Sequence, residues 1–507
     1  MFTAPWRYLC IICLVLATGQ LALAENRSRS LALNSITRGE LQGHVDILAD
    51  DTFEGRESGT RGGHAAAGYL AKHFEKLELR PAGERGSYFQ GFGGNARNIL
   101  ALLEGSDPEL KHEIVMVGGH YDHVGYGTRR NSYGPWGYIH NGADDNASGM
   151  AGLLEVAQAL KELPTPPRRS MLLVCWDGEE KGLLGSKHWI ASPTVSRERV
   201  KCFVNVDMIG RLTKDRVEVY GTRSAVGLRQ LLSHANSPGL DLDCTWHMKE
   251  DSDHWPFFAQ GIPVLMLHTG LHADYHRPSD DAERINQAGL ERVTRLLLET
   301  ACALADADDP GTFRTEARRE NNDVRRVLEQ PASAPPARLG MTWHKQSSGD
   351  ALRLRVLTMN RGSAAEQAGL RVGDVVVALQ GQSIADDLRF RQQILAAPGE
   401  IALTVERTGE APRSVNVKLN GGPVRVGITT RSDTAEPNIA IVSHVVYGSP
   451  AAVAGLLVTD RIEAVDGQSF TTPAEFSRLL AAASDTVTLR VERRGILRDV
   501  ALELVPQ

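Results

Sequence analysis

Carboxylates and histidines gather in this chain wherever a short apolar run comes to its end. "GGHYDHVG" places His120 and Asp122 after the run that begins at Ile114. "WDGEEKGLLGS" sets Glu179 and Glu180 side by side after "MLLVCW", and "NVDMIG" sets Asp207 in a corresponding place. "GADDNASG" brings Asp144 and Asp145 ahead of a helical pattern, and "HADYHRPSDD" brings His276 after the last run. Each residue has a bland explanation. Acidic residues favour the first turn of a helix, where they meet the positive end of its dipole. Asp145 could cap a helix, Asp207 could end a strand, and the histidines could lie in solvated loops. Taken together they point elsewhere. Crowded carboxylates raise one another's pKa unless cations neutralise them. Two histidines joined to several carboxylates form the donor set that a divalent metal, zinc above all, requires.

The elements that must position these residues are legible as periodicity. From about Gln42 to Ala303, short apolar runs alternate with helical patterns, the rhythm of an α/β domain. "EIVMVGGH", "SMLLVCWDGEE", "CFVNVDMIG" and "VLMLHTG" are predicted strands running into polar residues. "ASGMAGLLEVAQALKEL" is a predicted helix, with Met150, Leu153, Leu154, Ala157 and Leu160 at helical spacing. In open α/β sheets the active crevice lies outside the carboxyl ends of the strands, where these carboxylates and histidines fall.

At 507 residues, with 42% hydrophobic and 23% charged, the chain has material for two to four globular domains. A formal net charge of −6 and the lack of a basic stripe argue against a nucleic-acid partner. The start, "MFTAPWRYLCIICLVLATGQLALA", has Arg7, an apolar core and small residues at Ala22 and Ala24. It reads as a signal peptide over residues 1–24, its apolar core too short for a stable membrane anchor. A periplasmic or secreted location is expected. Cys175, Cys202, Cys244 and Cys302 remain after cleavage, and export permits disulfides among them in three possible pairings. Cys175 and Cys202 lie in apolar strands and read as buried thiols.

Composition changes after "ADADD", becoming charged and then rich in proline and alanine, which predicts a linker over 310–336 with a helix between Thr315 and Glu329. Beyond it the chain repeats itself. "RLGMT" at 338–342 returns as "RVGIT" at 425–429, and "GSAAEQAGLRVGDVVVALQGQSI" returns as "GSPAAVAGLLVTDRIEAVDGQSF". The expected division is therefore a catalytic domain over 25–309 and two small β-rich domains over 337–420 and 421–507.

The blocks "GGHYDHVG", "NGADDNASG", "WDGEEKGLLGS", "NVDMIGR" and "DYHRPSDD", in that order, resemble the secreted di-zinc aminopeptidases, relatives of glutamate carboxypeptidases and glutaminyl cyclases. "FEGRESGTRGG" and "SDHWPFFAQGIP" are similar to that family too, and the likeness spans roughly residues 40–305. It implies a mixed, mainly parallel sheet flanked by helices. It also implies two zinc ions bridged by Asp145, with His120 and Asp207 completing one site and Glu180 and His276 the other. Asp122 would hold the imidazole of His120, and Glu179 would be the general base toward a water activated by both metals. Peptide or protein substrates trimmed from the amino terminus follow from the same resemblance. A carboxypeptidase, with Arg129 or Arg130 taking the terminal carboxylate, a one-zinc glutaminyl cyclase, and an adaptor with a vestigial peptidase domain are the alternatives. His272, four residues before His276, is a competing ligand. Asp144 is expected beside the bridge as a supporting or capping residue, while His123, His140 and His254 are read as pocket-lining or structural. The stretch from Gly125 to Gly137 is expected to loop over the crevice. The repeats resemble PDZ domains of bacterial periplasmic proteases, which implies grooves for polypeptide carboxyl termini. The second copy departs from the first at Thr459, where the first has Gly373.

Overall fold

The structure is a computed structural model that describes residues 29–348 and 351–504. The predicted signal peptide lies outside the described residues, and among the described residues no helix is long and apolar enough to cross a membrane. The chain divides into two compact units, one essentially up to Arg325 and one from Arg326 onward.

The first unit is built on nine strands: β1 (Arg80–Pro81), β2 (Phe89–Phe92), β3 (Ala96–Leu103), β4 (Ile114–His120), β5 (Ser170–Trp176), β6 (Val200–Val206), β7 (Arg216–Tyr220), β8 (Asp241–Cys244) and β9 (Val264–His268). Their order is β1-β3-β5-β4-β6-β9-β7-β8, with β2 on β3. The central strands β5, β4, β6 and β9 run parallel, while β3 and β7 pair antiparallel with β5 and β9. Every residue of β4 and β5 is buried, because parallel strands covered by helices on both faces need apolar side chains on both. Helices Arg38–Leu48, Gly149–Glu162 and Gln287–Asp306 pack on one another and bury apolar stripes in the same core as the sheet.

The path of the chain makes the crevice. From β4 it passes through helix Gly149–Glu162 to β5 on one side, then returns to β6 on the other side of β4. The carboxyl end of β4 is therefore a topological switch point, where a ligand site opens in such sheets. Gly118 and Gly119 suit that crowded strand. A Cβ on Gly118 would stand 1.9 Å from the Val174 carbonyl oxygen, and one on Gly119 would stand 2.2 Å from that of Val206.

Among the described residues Cys175, Cys202, Cys244 and Cys302 are free and buried, and no disulfide joins them. Residues that composition marked as linker partly belong to it. Phe313 bridges to Ala225, Ala317 is buried, and Glu320 receives bonds from both Arg223 and Arg314. The predicted linker helix is a short turn at Thr315–Arg318 followed by helix Asn322–Leu328.

The second unit contains two antiparallel sheets of matching topology. β10 (Met341–Ser348), β11 (Ala351–Met359), β12 (Val375–Leu379), β13 (Gln382–Ser383), β14 (Glu400–Glu406) and β15 (Arg413–Lys418) form the first, in the order β10-β11-β12-β14-β15. β16 (Ile428–Asp433), β17 (Glu436–Val445), β18 (Arg461–Val465), β19 (Gln468–Ser469), β20 (Thr486–Arg493) and β21 (Ile496–Glu503) form the second, in the order β16-β17-β18-β20-β21. Each has its own apolar core, and matching serines, Ser363 and Ser449, cap matching short helices.

Candidate metal centre

Four strand ends deliver the site. His120 closes β4, Glu179 and Glu180 follow β5, Asp207 follows β6, and His276 lies in the turns after β9. Asp145 comes from the irregular turn Ala143–Ser148 that leads into helix Gly149–Glu162. The next residue, Asn146, ties that turn to the sheet. Its side-chain amide donates to the carbonyls of Val206 (2.9 Å) and His120 (3.3 Å), and its oxygen accepts from the N–H groups of Gly149 (3.1 Å) and Met208 (3.2 Å). One asparagine thus couples β4, β6 and the helix.

The donor atoms fall into two groups that share Asp145. His120 Nε2 lies 3.4 Å from Asp145 Oδ1 and 3.2 Å from Asp207 Oδ1. His276 Nε2 lies 3.1 Å from Asp145 Oδ2 and 3.2 Å from Glu180 Oε2. Two donors each 2.0–2.1 Å from one zinc ion at tetrahedral angles stand roughly 3.3 Å apart. Both groups match that spacing, and each uses a different oxygen of Asp145. Residues His120, Asp145 and Asp207 form one candidate metal-holding group, and His123, Asp145, Glu180 and His276 form the other.

His123 is the addition that sequence reasoning missed. Its Nδ1 lies 2.8 Å from Glu180 Oε1 and 3.7 Å from Asp145 Oδ2. The available signal was its place three residues after His120 on the same strand-end turn. His272, the competing ligand, is elsewhere. The segment forms turns rather than a helix, and His272 Nε2 pairs with Asp144 Oδ2 at 3.2 Å. Asp144 also accepts from the Gly210 N–H (2.6 Å) and the Ser148 hydroxyl (3.0 Å), a supporting position beside the bridge. His140 bonds Ser132 and the Tyr138 carbonyl, and His254 is buried, both outside the two groups.

Asp122 supports the site differently from the expectation. His120 Nδ1 is 3.1 Å from the backbone carbonyl of Asp122 and 3.9 Å from its carboxylate. The carboxylate instead accepts the Glu179 N–H at 3.1 Å. The tight turn after β4 brings the carbonyl round first, which leaves the side chain free to hold the "GEE" turn.

The electrostatics fit a cation. Burial pushes the Glu179 carboxyl well above the ordinary glutamate range; His120 opposes this, while Glu180, Asp253 and Asp207 add to it. Burial alone would discharge His276, but Asp145 and Glu180 outweigh it and keep the imidazole protonated up to about 11. His120 is raised in the same way by Asp207, against its burial. Without a metal the cluster must gather protons to balance its carboxylates, and a divalent ion would supply that charge directly. Beneath the cluster Arg56 is fully buried and donates to the carbonyls of Leu48, Tyr121, Asn141 and Gly142, with burial drawing its guanidinium down to about 10.

A cavity of about 290 Å³ opens on the site, with His120, Asp145, Glu179, Asp207 and His276 in its wall. The rest of its wall includes Glu218, Asp251, Lys249 and Tyr220, with Met208, Met266 and Leu271 as apolar surface. The stretch from Gly125 forms a loop without strand or helix that grips the His276 backbone. The Tyr133 N–H and the Ser132 hydroxyl both donate to the His276 carbonyl, at 3.1 and 3.0 Å. His276 itself has φ 51°, a left-handed conformation that a non-glycine residue keeps when its surroundings impose it.

An α/β domain with two carboxylate–histidine groups sharing one aspartate at a switch point defines a metal-dependent hydrolase class. Residues 98–301 match the model of Peptidase family M28, and residues 355–407 and 441–493 each match that of the PDZ domain. The first unit is an M28-family peptidase domain, and two PDZ domains follow it in the chain. Leupeptin-inactivating enzyme 1 of Streptomyces exfoliatus is 28% identical over 278 residues, 54% of this chain and 58% of the relative. Aminopeptidase YwaD of Bacillus subtilis is 26% identical over 244 residues, 45% of this chain and 49% of the relative. The chain thus spans about half the length of these curated relatives. Among solved structures, the Legionella pneumophila LapA aminopeptidase aligns over 56% of this chain and 73% of its own, at 19% identity and a TM-score of 0.47.

Proposed function

We propose that this protein is an exported two-zinc aminopeptidase that removes residues from the free amino termini of peptides. The observation that carries this is Asp145, whose two oxygens face two separate donor groups at the wall of one cavity. Bound there, a pair of divalent ions would polarise a scissile carbonyl and acidify a water. His120 and Asp207 would hold one ion, Glu180 and His276 the other, and Asp145 would serve both. Glu179 is the general base. Its backbone is fixed by Asp122, its carboxyl lies in the cavity wall, and it passes a proton from the attacking water to the leaving amine.

The direction of attack rests on the named relatives and on the cavity wall. Glu218 and Asp251 bring carboxylates to the cavity that could receive a substrate's α-ammonium, and the relatives named as aminopeptidases agree with this. Arg129 and Arg130, the cations expected to serve a carboxypeptidase, are absent from that wall, and Arg129 stacks on Trp136 at 4.8 Å; the wall's own cation, Lys249, lies 3.8 Å from Asp251. A one-zinc cyclase reading leaves one donor group without a purpose. The PDZ domains are read as holding the carboxyl ends of longer substrates, which would raise the local concentration of the other end. Export rests on the charged and then apolar start of the chain.

Glu179→Gln is expected to lower kcat by at least about a thousandfold with metal content unchanged, whereas Glu180→Gln should lower metal content. Metal analysis beside turnover of free and amino-blocked peptides tests this. Equal metal loss in both variants, or preference for the blocked peptide, would refute the assignment.

A further inference from the structure

The two donor groups are unequal, and the inequality turns on His123. Resting on the two-metal reading above, we propose that His123 is a fourth protein ligand of the Asp145–Glu180–His276 site. That site is then closed and holds the tighter ion, while the His120–Asp145–Asp207 site keeps an open position for chemistry.

His123 follows β4 by three residues, is 1% exposed, and points Nδ1 at the second donor group. Its distances to Glu180 Oε1 and Asp145 Oδ2, 2.8 and 3.7 Å, bracket the roughly 3.3 Å expected between two ligands of one zinc ion. Its ring has a built seat. Gly142, at φ 55°, passes so close that a Cβ there would stand 2.5 Å from the imidazole. Its other ring nitrogen, Nε2, is buried with no hydrogen-bond partner, so nothing on that side competes for the ring's orientation.

Counting donors separates the sites. With His123 the second group offers four protein side chains, the tetrahedral complement of a closed zinc site. The first group offers three, the number found where zinc keeps a position for water or substrate. The cavity agrees with the count. Its wall includes His120, Asp145, Asp207, Glu179 and His276, but neither His123 nor Glu180. All three donors of the first group thus reach the cavity beside Glu179, whereas two of the four donors of the second, His123 and Glu180, do not. The rival role for His123 is a hydrogen bond from Nδ1–H to Glu180, supporting a ligand without touching the ion.

The test uses the full chain, freed of metal and given one equivalent of zinc, with X-ray absorption at the zinc edge counting imidazoles. The wild-type protein should show two imidazoles, from His123 and His276, and His123→Asn should show one. Asparagine can keep a donor to Glu180, so the rival role predicts no change between the two proteins. Chelator competition should show the tighter ion of the variant weakened by roughly 100-fold or more, beyond the usual range for losing a supporting partner. One imidazole in the wild-type protein would overturn the proposal, as would two in the variant. If His123→Asn fails to fold, the wild-type count decides alone. A wild-type protein that binds a single zinc at saturation would instead refute the two-metal reading itself.

Discussion

In the carboxy-terminal repeats a buried carboxylate meets an arginine. Asp374 accepts from Arg407 at 2.7 and 2.9 Å, Asp460 is held in the same way by Arg493, and Arg461 donates to Glu436. In the peptidase unit Asp122, Asp145, Glu179, Glu180 and Asp207 crowd together around a cavity, with histidines as their nearest cationic partners. The two regions bury acid for different purposes. A carboxylate paired inside the fold stabilises one arrangement of strands and turns. Carboxylates packed together with no arginine or lysine bonded to them cost stability until an ion arrives, and that cost marks a site.

The largest expected effect comes from removing the ion. A metal that binds the folded state alone contributes RT ln(1 + [L]/Kd), about 4 kcal/mol at a thousandfold excess over Kd. Chelation should therefore lower the melting of the peptidase unit by roughly 10 °C and leave the repeats unmoved. Hydrogen exchange in both regions, with and without chelator, measures it. Equal shifts in both would erase the contrast.

Next in size is the pairing in the first repeat. Asp374→Ala removes the acceptor for Arg407 and for the Arg371 N–H, and should cost that repeat roughly 2 kcal/mol in urea unfolding. The pH dependence follows. Burial raises the Asp374 carboxyl, but the hydrogen bonds from Arg407 and the Arg371 N–H outweigh it and set it below its ordinary range. Its contribution is thus complete above about pH 4, where an unfolded aspartate is ionised, and is lost as pH falls through the lower folded value. A variant that loses stability equally at pH 7 and at pH 2 would show that the charge has no part in it.

The smallest effect sharpens the comparison between the repeats themselves. Gly373 and Thr459 make the same bond, to Val356 and Val442 at 2.9 and 2.8 Å, with φ 94° and 76°. A β-branched residue there is strained, glycine is not. Thr459→Gly should stabilise the second repeat by about 1 kcal/mol, and Gly373→Thr should weaken the first by a similar amount. Denaturation of each variant reads both, and a Thr459→Gly change that destabilises would mean the threonine side chain has a contact of its own.

Much of the site was legible because strand-end residues in parallel sheets converge by construction. Once the strands ending near His120, Trp176 and Val206 were read from their apolar runs, Asp145, Glu180 and Asp207 had to lie near one another. The repeats were legible as repeats, down to the exchanged residue at Thr459. The partners were harder. Periodicity says nothing about which atom of Asp122 reaches His120, and composition read residues 313–320 as linker although Phe313, Arg314, Ala317 and Glu320 serve the peptidase unit. Arg56 stands in the block "FEGRESGTRGG" without a role of its own, and its burial on four carbonyls depends mainly on segments distant in the chain.

By itself the sequence determined the residue types that can hold metal, their order along an α/β rhythm, and the duplicated module behind them. These are local facts, written in side-chain chemistry and spacing. The tertiary structure decided how the donors are shared out. The turn after β4 carries His123 past Gly142 toward Glu180, the 272–276 segment forms turns that send His272 to Asp144, and Asn146 fixes the bridge between β4 and β6. Whether a histidine is a ligand or a bystander depends on a few ångströms and one ring rotation, and those are set by packing among elements far apart in sequence.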